Sequence, residues 1–355
     1  MRLPQHLVES PWFLHSTAEA FHDAYPQISA EEFQIAQQLV EQGLPPVSSL
    51  ETLSVLFGYN PGIVRAFAVN SNRYYRKFKI QSGQKRREIA SPRVGLKLIQ
   101  TWIGFHLSRK PMISHIFGFV PGRSHIDAVE QHIGATWAYS VDIQDFFGTT
   151  QSAKVLDSMI ALGYSAEAAE LLTNLTTLDG VLPQGSPASP SISNHCFRET
   201  DIQLSNLAGD LECNLTRFAD DICFSGTGVF PEPLPEQIEA ILAPTPWRLN
   251  PSKVSKQPIK GRVKVHGLLV KQDGIALTKG YRNKIRAYRH LWTNRKIRES
   301  DVKKIKGHLN FARQVETRAT CHSQFDWTDF DFDESKASAA PQNPLISLIK
   351  DFLQL

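Results

Sequence analysis

Leu215-Thr216-Arg217-Phe218-Ala219-Asp220-Asp221-Ile222-Cys223-Phe224-Ser225 reads as two short strands that meet at a pair of acids. β-favouring residues flank the turn on both sides, so the segment is a hairpin with carboxylates at its tip. Adjacent acids on an exposed turn are common and carry little by themselves. These flanks, however, are strongly apolar, where a carboxylate is costly unless it is paired or metal-bound. A third acid stands in a similar setting. Over residues 135–147, Trp137, Tyr139 and Val141 fall on one side of a strand and Ala138, Ser140 and Asp142 on the other, so one face is bulky and the other ends in a carboxylate. Asp142, Asp220 and Asp221 together form the kind of cluster that phosphoryl transfer between a hydroxyl and a nucleoside triphosphate requires. Hard oxygen ligands would hold two divalent ions roughly 3.5 to 4 Å apart, with Asp142 and Asp220 bridging them.

Working outward, residues 1 to about 60 are helical in pattern, with Ser29 a capping residue and Pro45-Pro46 a break. Tyr74 to Ile80 and Lys85 to Ala90, separated by Gln81-Ser82-Gly83-Gln84, predict a basic β-hairpin. Leu96, Ile99, Ile103 and Leu107 then recur at helical spacing. Ser165 caps a helix to about Leu178, after which Asp179-Gly180 turns the chain into Val181-Leu182-Pro183-Gln184-Gly185 and a further helix. Residues 231–258 contain seven prolines and are expected to be largely loop around a short helix begun at Pro235. Strands resume at Val263 to Val270, and the pattern is helical again from Lys279.

The 355 residues leave room for two or three structural units. With 41% hydrophobic and 21% charged residues and 20 Phe, the composition is that of a folded globular chain. No apolar run is long enough for a membrane span and the N-terminus has no apolar signal core, so a soluble, cytoplasmic protein without a membrane partner is expected. Cys196, Cys213, Cys223 and Cys321 form no C-x-x-C pair, so neither a zinc ribbon nor a disulfide framework is indicated. The charge is uneven. Lys279 to Arg313 holds twelve Lys and Arg against Glu299 and Asp301, a local +10 in a chain whose total is +4. That patch suits a polyanion, and Tyr281, Tyr288, Trp292 and Phe311 interleave with its cations as they would for contact with sugar-phosphate and base faces. A solvated helix face and core packing are the plainer readings of the same residues.

From about Tyr74 to Arg289 the residues resemble the reverse transcriptases, most closely those of bacterial retrons. Arg87-x-Ile89-x-x-Pro92 with Leu96-Lys97-x-Ile99-Gln100 is similar to the family's fingers segment, and His115 to Ser124 (HIFGFVPGRS) to its next block. Val141-Asp142-Ile143-x-Asp145-Phe146-Phe147 resembles the first catalytic motif, Leu182-Pro183-Gln184-Gly185-Ser186-Pro187 with Asn194 the template-and-nucleotide loop, and Arg217-Phe218-Ala219-Asp220-Asp221 the second catalytic motif. Leu249-Asn250-x-x-Lys253 and Val265-His266-Gly267-Leu268 correspond to palm blocks that precede the thumb.

The resemblance implies an α+β right-hand polymerase fold with fingers, an antiparallel palm sheet with helices, and a helical thumb. The expected divisions are a 1–60 N-terminal helical extension, 61–134 fingers, 135–274 palm with 150–185 partly fingers, and a 275–355 basic thumb with an acidic tail. Asp142, the carbonyl of Ile143, Asp220 and Asp221 would hold two Mg²⁺ ions, replaceable by Mn²⁺ in vitro. Lys253 would protonate the leaving pyrophosphate. Arg87, with Lys79 or Lys85, would clamp the triphosphate of an incoming dNTP, or would be solvated hairpin cations. Phe147 aligns with the aromatic gate that excludes a 2′-hydroxyl, with core packing the other reading. Gln184 would touch nucleotide or template, and Gly185 would let the backbone approach closely or would serve a tight turn. Lys284, Arg286, Arg289, Arg295, Lys303 and Lys304 would grip RNA and DNA phosphates.

The implied activity is RNA-directed DNA polymerisation on a structured noncoding RNA that is template and primer. Synthesis would start from an internal 2′-hydroxyl and give a branched RNA-DNA hybrid, in phage defence with a separate effector protein. Four departures bear on the narrower assignment. Phe218 replaces the usual Tyr, Ala128 and Val129 replace the Asn-Ala that precedes His132, His266 replaces Thr in the Val-Thr-Gly element, and Gly148 replaces Pro. Other defence-associated or group II-like reverse transcriptases are the alternative within the class. A catalytically silent RNA-binding subunit and a metal nuclease are the alternatives outside it. The acidic aromatic stretch Asp326 to Glu334 is either a docking segment or a solubilising tail.

Overall fold

The computed structural model describes residues 5–82, 85–258, 263–294 and 296–318. Helices α1 (Gln5–Glu9), α2 (Ala18–Ala24), α3 (Ala30–Glu41), α4 (Leu50–Phe57) and α5 (Pro61–Val69) precede a hairpin of β1 (Tyr75–Ser82) and β2 (Lys85–Pro92). Then follow α6 (Val94–Ser108), α7 (His125–Glu130), β3 (Trp137–Asp142), α8 (Phe146–Thr149), α9 (Ser152–Leu162), α10 (Ala166–Thr176), α11 (Ser189–Cys196) and α12 (Arg198–Asp210). The acid hairpin is β4 (Asn214–Phe218) and β5 (Asp221–Gly226), followed by α13 (Leu234–Leu242) and β6 (Ser255–Pro258). β7 (Val263–Val265), β8 (Leu268–Val270) and β9 (Ile275–Ala276) lead into α14 (Lys279–Thr293) and α15 (Glu299–Thr317).

The central sheet is antiparallel throughout, in the order β4-β5-β3-β6. Alternation along β3 places its side chains in two cores. Trp137, Tyr139 and Val141 join the main core, shared by the N-terminal helices, α6, α9 to α13 and the central sheet, while Ala138 joins a second core built on β7 to β9, α14 and α15. The sheet thus lies between two hydrophobic layers, and its end, where Asp142 and Asp220-Asp221 emerge, opens on a cleft. This is the α+β palm-like arrangement expected.

Three local expectations change. The proline-rich stretch to residue 258 is not loop throughout, because Ser255–Pro258 pairs with β3 as an edge strand, Ser140 opposite Ser255 and Tyr139 opposite Lys256. Pro258 sits at the strand's end, where the missing N–H costs the ladder least. β3 stops at Asp142, and Asp145 turns the chain away in a left-handed conformation, φ 46°. The Asp145 carboxylate folds back over Gly148, so that a Cβ there would require this exposed side chain to turn away. Lastly, Tyr288 and Trp292 are buried and Tyr281 and Phe311 half-buried in the second core, with Tyr281 Oη 2.7 Å from His308 Nδ1. These aromatics join α14 to α15 and are not open platforms for bases.

The N-terminal helices brace α6. Phe13 stacks on Phe57 at 4.1 Å, Phe57 meets Trp102 edge-on at 5.2 Å, and Trp102 Nε1 donates to the carbonyl of Ser10 at 2.9 Å. Glu32 on α3 accepts from the hydroxyls of Ser48, Ser49 and Thr52, fixing the start of α4. Residues 319–355, and with them Asp326 to Glu334 and Cys321, lie outside the described residues, as does Arg295.

Candidate active site

The sheet register sets the acids. Asp142, last in β3, is the antiparallel partner of Asp221, first in β5, and the Ile143 amide donates to the Asp220 carbonyl at 2.9 Å. The Asn250 amide donates to the Asp142 carbonyl at 2.8 Å, which brings the 250–253 turn alongside. Lys253 Nζ donates to Asp142 Oδ2 as an ion pair. Among the three acids and Lys253 the charges are unequal, three against one. Burial, then the charge of Asp142, raises the Asp220 pKa, while burial and the charges of Asp220 and Asp142 push Asp221 up to about 6. Burial alone would lower the Lys253 pKa. Its hydrogen bond to Asp142 and the three carboxylate charges outweigh that and hold it above its ordinary value.

Asp142, Asp220 and Lys253 line a cleft of ≈ 710 Å³ between the sheet end and the β1–β2 hairpin, with Asp221 beside Asp142 just outside that lining. Arg86 and Arg87 reach it from β2 and Lys77 from β1, while Phe147 and Gln184 form other walls. Lys79 is exposed on β1 and does not line the cleft. Lys77, two residues earlier, does, and it pairs with Asp179 at 2.8 Å. The Lys85 side chain lies outside the described residues. Asp179 and Gly180, φ 53° and 80°, make the tight turn expected of them, and Asp179 also accepts from Asn72 at 2.7 Å. Gln184 and Gly185 are held by the hairpin: Ala90 N–H donates to the Gln184 carbonyl at 2.8 Å, and a Cβ on Gly185, φ 123°, would sit 2.8 Å from the Ala90 carbonyl oxygen. The close approach that requires glycine here is therefore to β2. Phe147 is half-buried between Phe119 and Phe146, at 6.0 and 5.9 Å, and presents its remaining surface to the cleft. Both of its expected roles remain compatible with that position.

Two departures meet in one buried network. His132 is bracketed by Ser225 Oγ at 2.6 Å and Thr216 Oγ1 at 2.7 Å, and the same Thr216 hydroxyl is 3.0 Å from His266 Nε2. His266 and Gly267 both have positive φ, 44° and 87°, at the β7–β8 turn, a conformation that disfavours β-branched residues such as Thr. Phe218 packs beside His125 and His266, so aromatic packing is kept where the usual Tyr is lost.

On the far side of the second core, α14 and α15 carry the expected cations. Lys303, Lys304 and Arg286 are exposed, and Lys284 and Arg289 half-buried. Lys284 lies over the rings of Tyr288 and Tyr281 at 5.5 and 5.8 Å, and Arg286 donates to Asn283 at 3.1 Å. Sequence reasoning missed Lys77, and it took Asn194 and Arg217 only as motif positions, without Asp201 and the buried group the three form behind the acid hairpin.

The donor set suits a hard divalent cation. It consists of carboxylate oxygens with the neighbouring Ile143 carbonyl, crowded so that their like charges raise two pKa values, a repulsion such a cation relieves. Among the described residues no three His, Cys, Asp or Glu side chains stand as a preassembled cage, and Asp142 is engaged by Lys253 instead. No helix among the described residues is long and apolar enough to cross a membrane.

Comparison with known proteins agrees with this geometry. The model of the family described as reverse transcriptase (RNA-dependent DNA polymerase) matches residues 76–257, half of the chain. The chain is 29% identical to the retron Mx65 reverse transcriptase of Myxococcus xanthus over 302 residues, 77% of this chain and 69% of that protein. It is 24% identical to the retron Ec86 reverse transcriptase of Escherichia coli over 283 residues, 78% and 88% of the two chains. Among solved structures, a foamy viral protease-reverse transcriptase in complex with an RNA/DNA hybrid overlaps 67% of this chain and 27% of that one at 17% identity with a TM-score of 0.40, a likeness too coarse to add weight. With the matched segment running from the β1–β2 hairpin through both acid sites to β6, the chain belongs to the reverse transcriptase family of RNA-directed DNA polymerases, and its curated relatives are those of retrons.

Proposed function

We propose that Asp142, Asp220 and Asp221 are the metal-holding acids of a retron-type polymerase that copies a structured noncoding RNA into DNA. The observation that carries this is that Asp142 and Asp220, at the sheet end where Asp142 pairs with Asp221, line a cleft whose opposite wall supplies Arg86, Arg87 and Lys77. Divalent ions held by the three carboxylates and the Ile143 carbonyl would activate the primer hydroxyl and stabilise the departing pyrophosphate. Arg86, Arg87 and Lys77 neutralise and orient the triphosphate, with Lys77 exchanging its Asp179 partner for phosphate. Lys253, held protonated beside the acids, donates a proton to the leaving phosphate oxygen. Phe147 fills the space a 2′-hydroxyl would need, and Gln184 contacts the nucleotide or its template base.

In this reading residues 61–134 act as fingers, 135–274 as palm and the following helices as thumb, while the first 60 residues brace the fingers. The cations of α14 and α15 grip duplex phosphates. The primer would be an internal 2′-hydroxyl of the RNA, the product a branched RNA-DNA hybrid, and the setting cytoplasmic phage defence with a separate effector. Expression with the native flanking DNA, followed by nucleic-acid extraction, tests this. A short RNA-linked DNA that vanishes in the Asp220→Asn, Asp221→Asn variant supports the retron reading. If none forms but a supplied primed RNA template is extended, another type of reverse transcriptase is indicated.

A further inference from the structure

Arg217 is fully buried, three residues before Asp220 on the strand that leads into the acid turn. Four of its five N–H donors are used. Nε and Nη2 bind Asp201 Oδ1 and Oδ2 at 2.7 and 2.5 Å, and Nη1 donates to Asn194 Oδ1 and to the Ala219 carbonyl, both at 3.0 Å. Asp201 is itself wholly buried and also meets His115 Nε2 at 3.2 Å. Asn194 donates onward to the Gly118 carbonyl at 2.9 Å.

The target of this truss is the turn. Ala219 is left-handed, φ 59°, a conformation that an L-residue avoids unless its surroundings impose it. Arg217 holds its carbonyl from one side. From the other, Gly118 abuts its amide so closely that a Cβ on residue 118 would lie 2.2 Å from Ala219 N. The next residue, Asp220, then passes its carbonyl to Ile143, the neighbour of Asp142. A buried ion pair is seldom the most stabilising filling for a core, since its desolvation offsets its attraction. What this one supplies is a fixed geometry, carried from α11 and α12 into a single peptide unit beside the acids.

We propose that Arg217, locked by Asp201 and Asn194, is a positioning residue that sets the Ala219-Asp220 turn for divalent-cation binding; this deepens the reading of the acids as metal ligands and rests on it. Three proteins are compared with wild type: Asn194→Ala, Arg217→Lys, and Ile238→Ala, a fully buried α13 side chain outside the truss, as a control of core loss. For each, Mn²⁺ affinity is measured by electron paramagnetic resonance on the nucleic-acid-free protein, alongside the thermal midpoint and the kcat and KM for dNTP on a primed RNA template.

Asn194→Ala should weaken Mn²⁺ binding about tenfold or more, the usual range for loss of a ligand's supporting partner. It should lower kcat while KM for dNTP stays within about twofold. Arg217→Lys, which keeps the charge but lacks the planar fork, should do the same. Ile238→Ala should lower the midpoint at least as far with unchanged Mn²⁺ affinity. Wild-type Mn²⁺ affinity in whichever of the first two variants folds would overturn the proposal, as would an equal loss in Ile238→Ala. Absence of polymerisation by the wild type would instead count against the polymerase reading, since the metal measurement needs no turnover.

Discussion

Asp142 and Asp221 are register partners across β3 and β5, and Lys253 forms its ion pair with Asp142. The carboxylates of the β4–β5 turn are left crowded with like charge. Asparagine at 221 should therefore raise stability without divalent ions, by about 1 kcal/mol given the solvent at its edge, while abolishing extension. Thermal unfolding and primer extension on the same preparation check the pair of effects; a less stable variant would contradict the crowding.

Lys253 stands where a cation is needed. In Lys253→Met the buried Asp142 carboxylate loses its partner, and the midpoint without divalent ions should fall by an amount worth about 1 kcal/mol. Added Mg²⁺ should then raise the variant's midpoint by more than it raises that of wild type, because binding to the folded state alone stabilises it. Equal Mg²⁺ shifts would separate Lys253 from the metal site.

Phe147 both packs on Phe119 and Phe146 and faces the cleft. Phe147→Val should raise the ratio of ribonucleotide to deoxynucleotide incorporation by about 10- to 100-fold, measured as kcat/KM for UTP and dTTP. A fall in both, with the ratio unchanged, would leave only the packing role.

Stability should decline on acidification through buried histidines. Burial, then the charge of His266, lowers His132 to about 3, while burial brings His266 and His195 to about 4, each from 6.5. Below pH 6.5 the unfolded chain takes up protons that the folded one refuses. Each ring therefore removes about 1.4 kcal/mol per pH unit until its folded value is approached. Urea unfolding from pH 7 to 5 should show the fall, and His132→Gln should flatten it.

The acid hairpin was legible because its signal is local: apolar strands on either side of Asp220-Asp221, and a two-residue period ending at Asp142. The β1–β2 hairpin and the Asp179-Gly180 turn were legible for the same reason. What escaped depends on long-range contacts. Arg217 reads as an ordinary strand cation until Asp201 and Asn194, from two other helices, close around it. Periodicity places Lys77 and Lys79 on one face of β1, and only the lean of the hairpin over the sheet selects Lys77. For the aromatics of α14 core packing was one of the readings left open, and it could have been preferred, since Tyr281, Ile285, Tyr288 and Trp292 recur at i, i+4, i+7 and i+11, the stripe of a buried helix face.

The cations of α14 and α15 should act through phosphates. Lys303→Gln with Lys304→Gln should weaken binding to an RNA/DNA duplex regardless of its sequence. It should also reduce the slope of log affinity against log salt by about 1 to 2, with kcat on saturating duplex retained.

The most direct test of the central claim is extension of a labelled DNA primer on an RNA template by the purified protein with Mg²⁺ and dNTPs, beside the Asp220→Asn, Asp221→Asn variant. Full-length, template-directed DNA from the wild type and none from the variant, with both binding the primed template equally, is the expected result. Extension that survives in the variant, or its absence from a wild type that binds the template, would contradict the assignment of these acids to the chemistry.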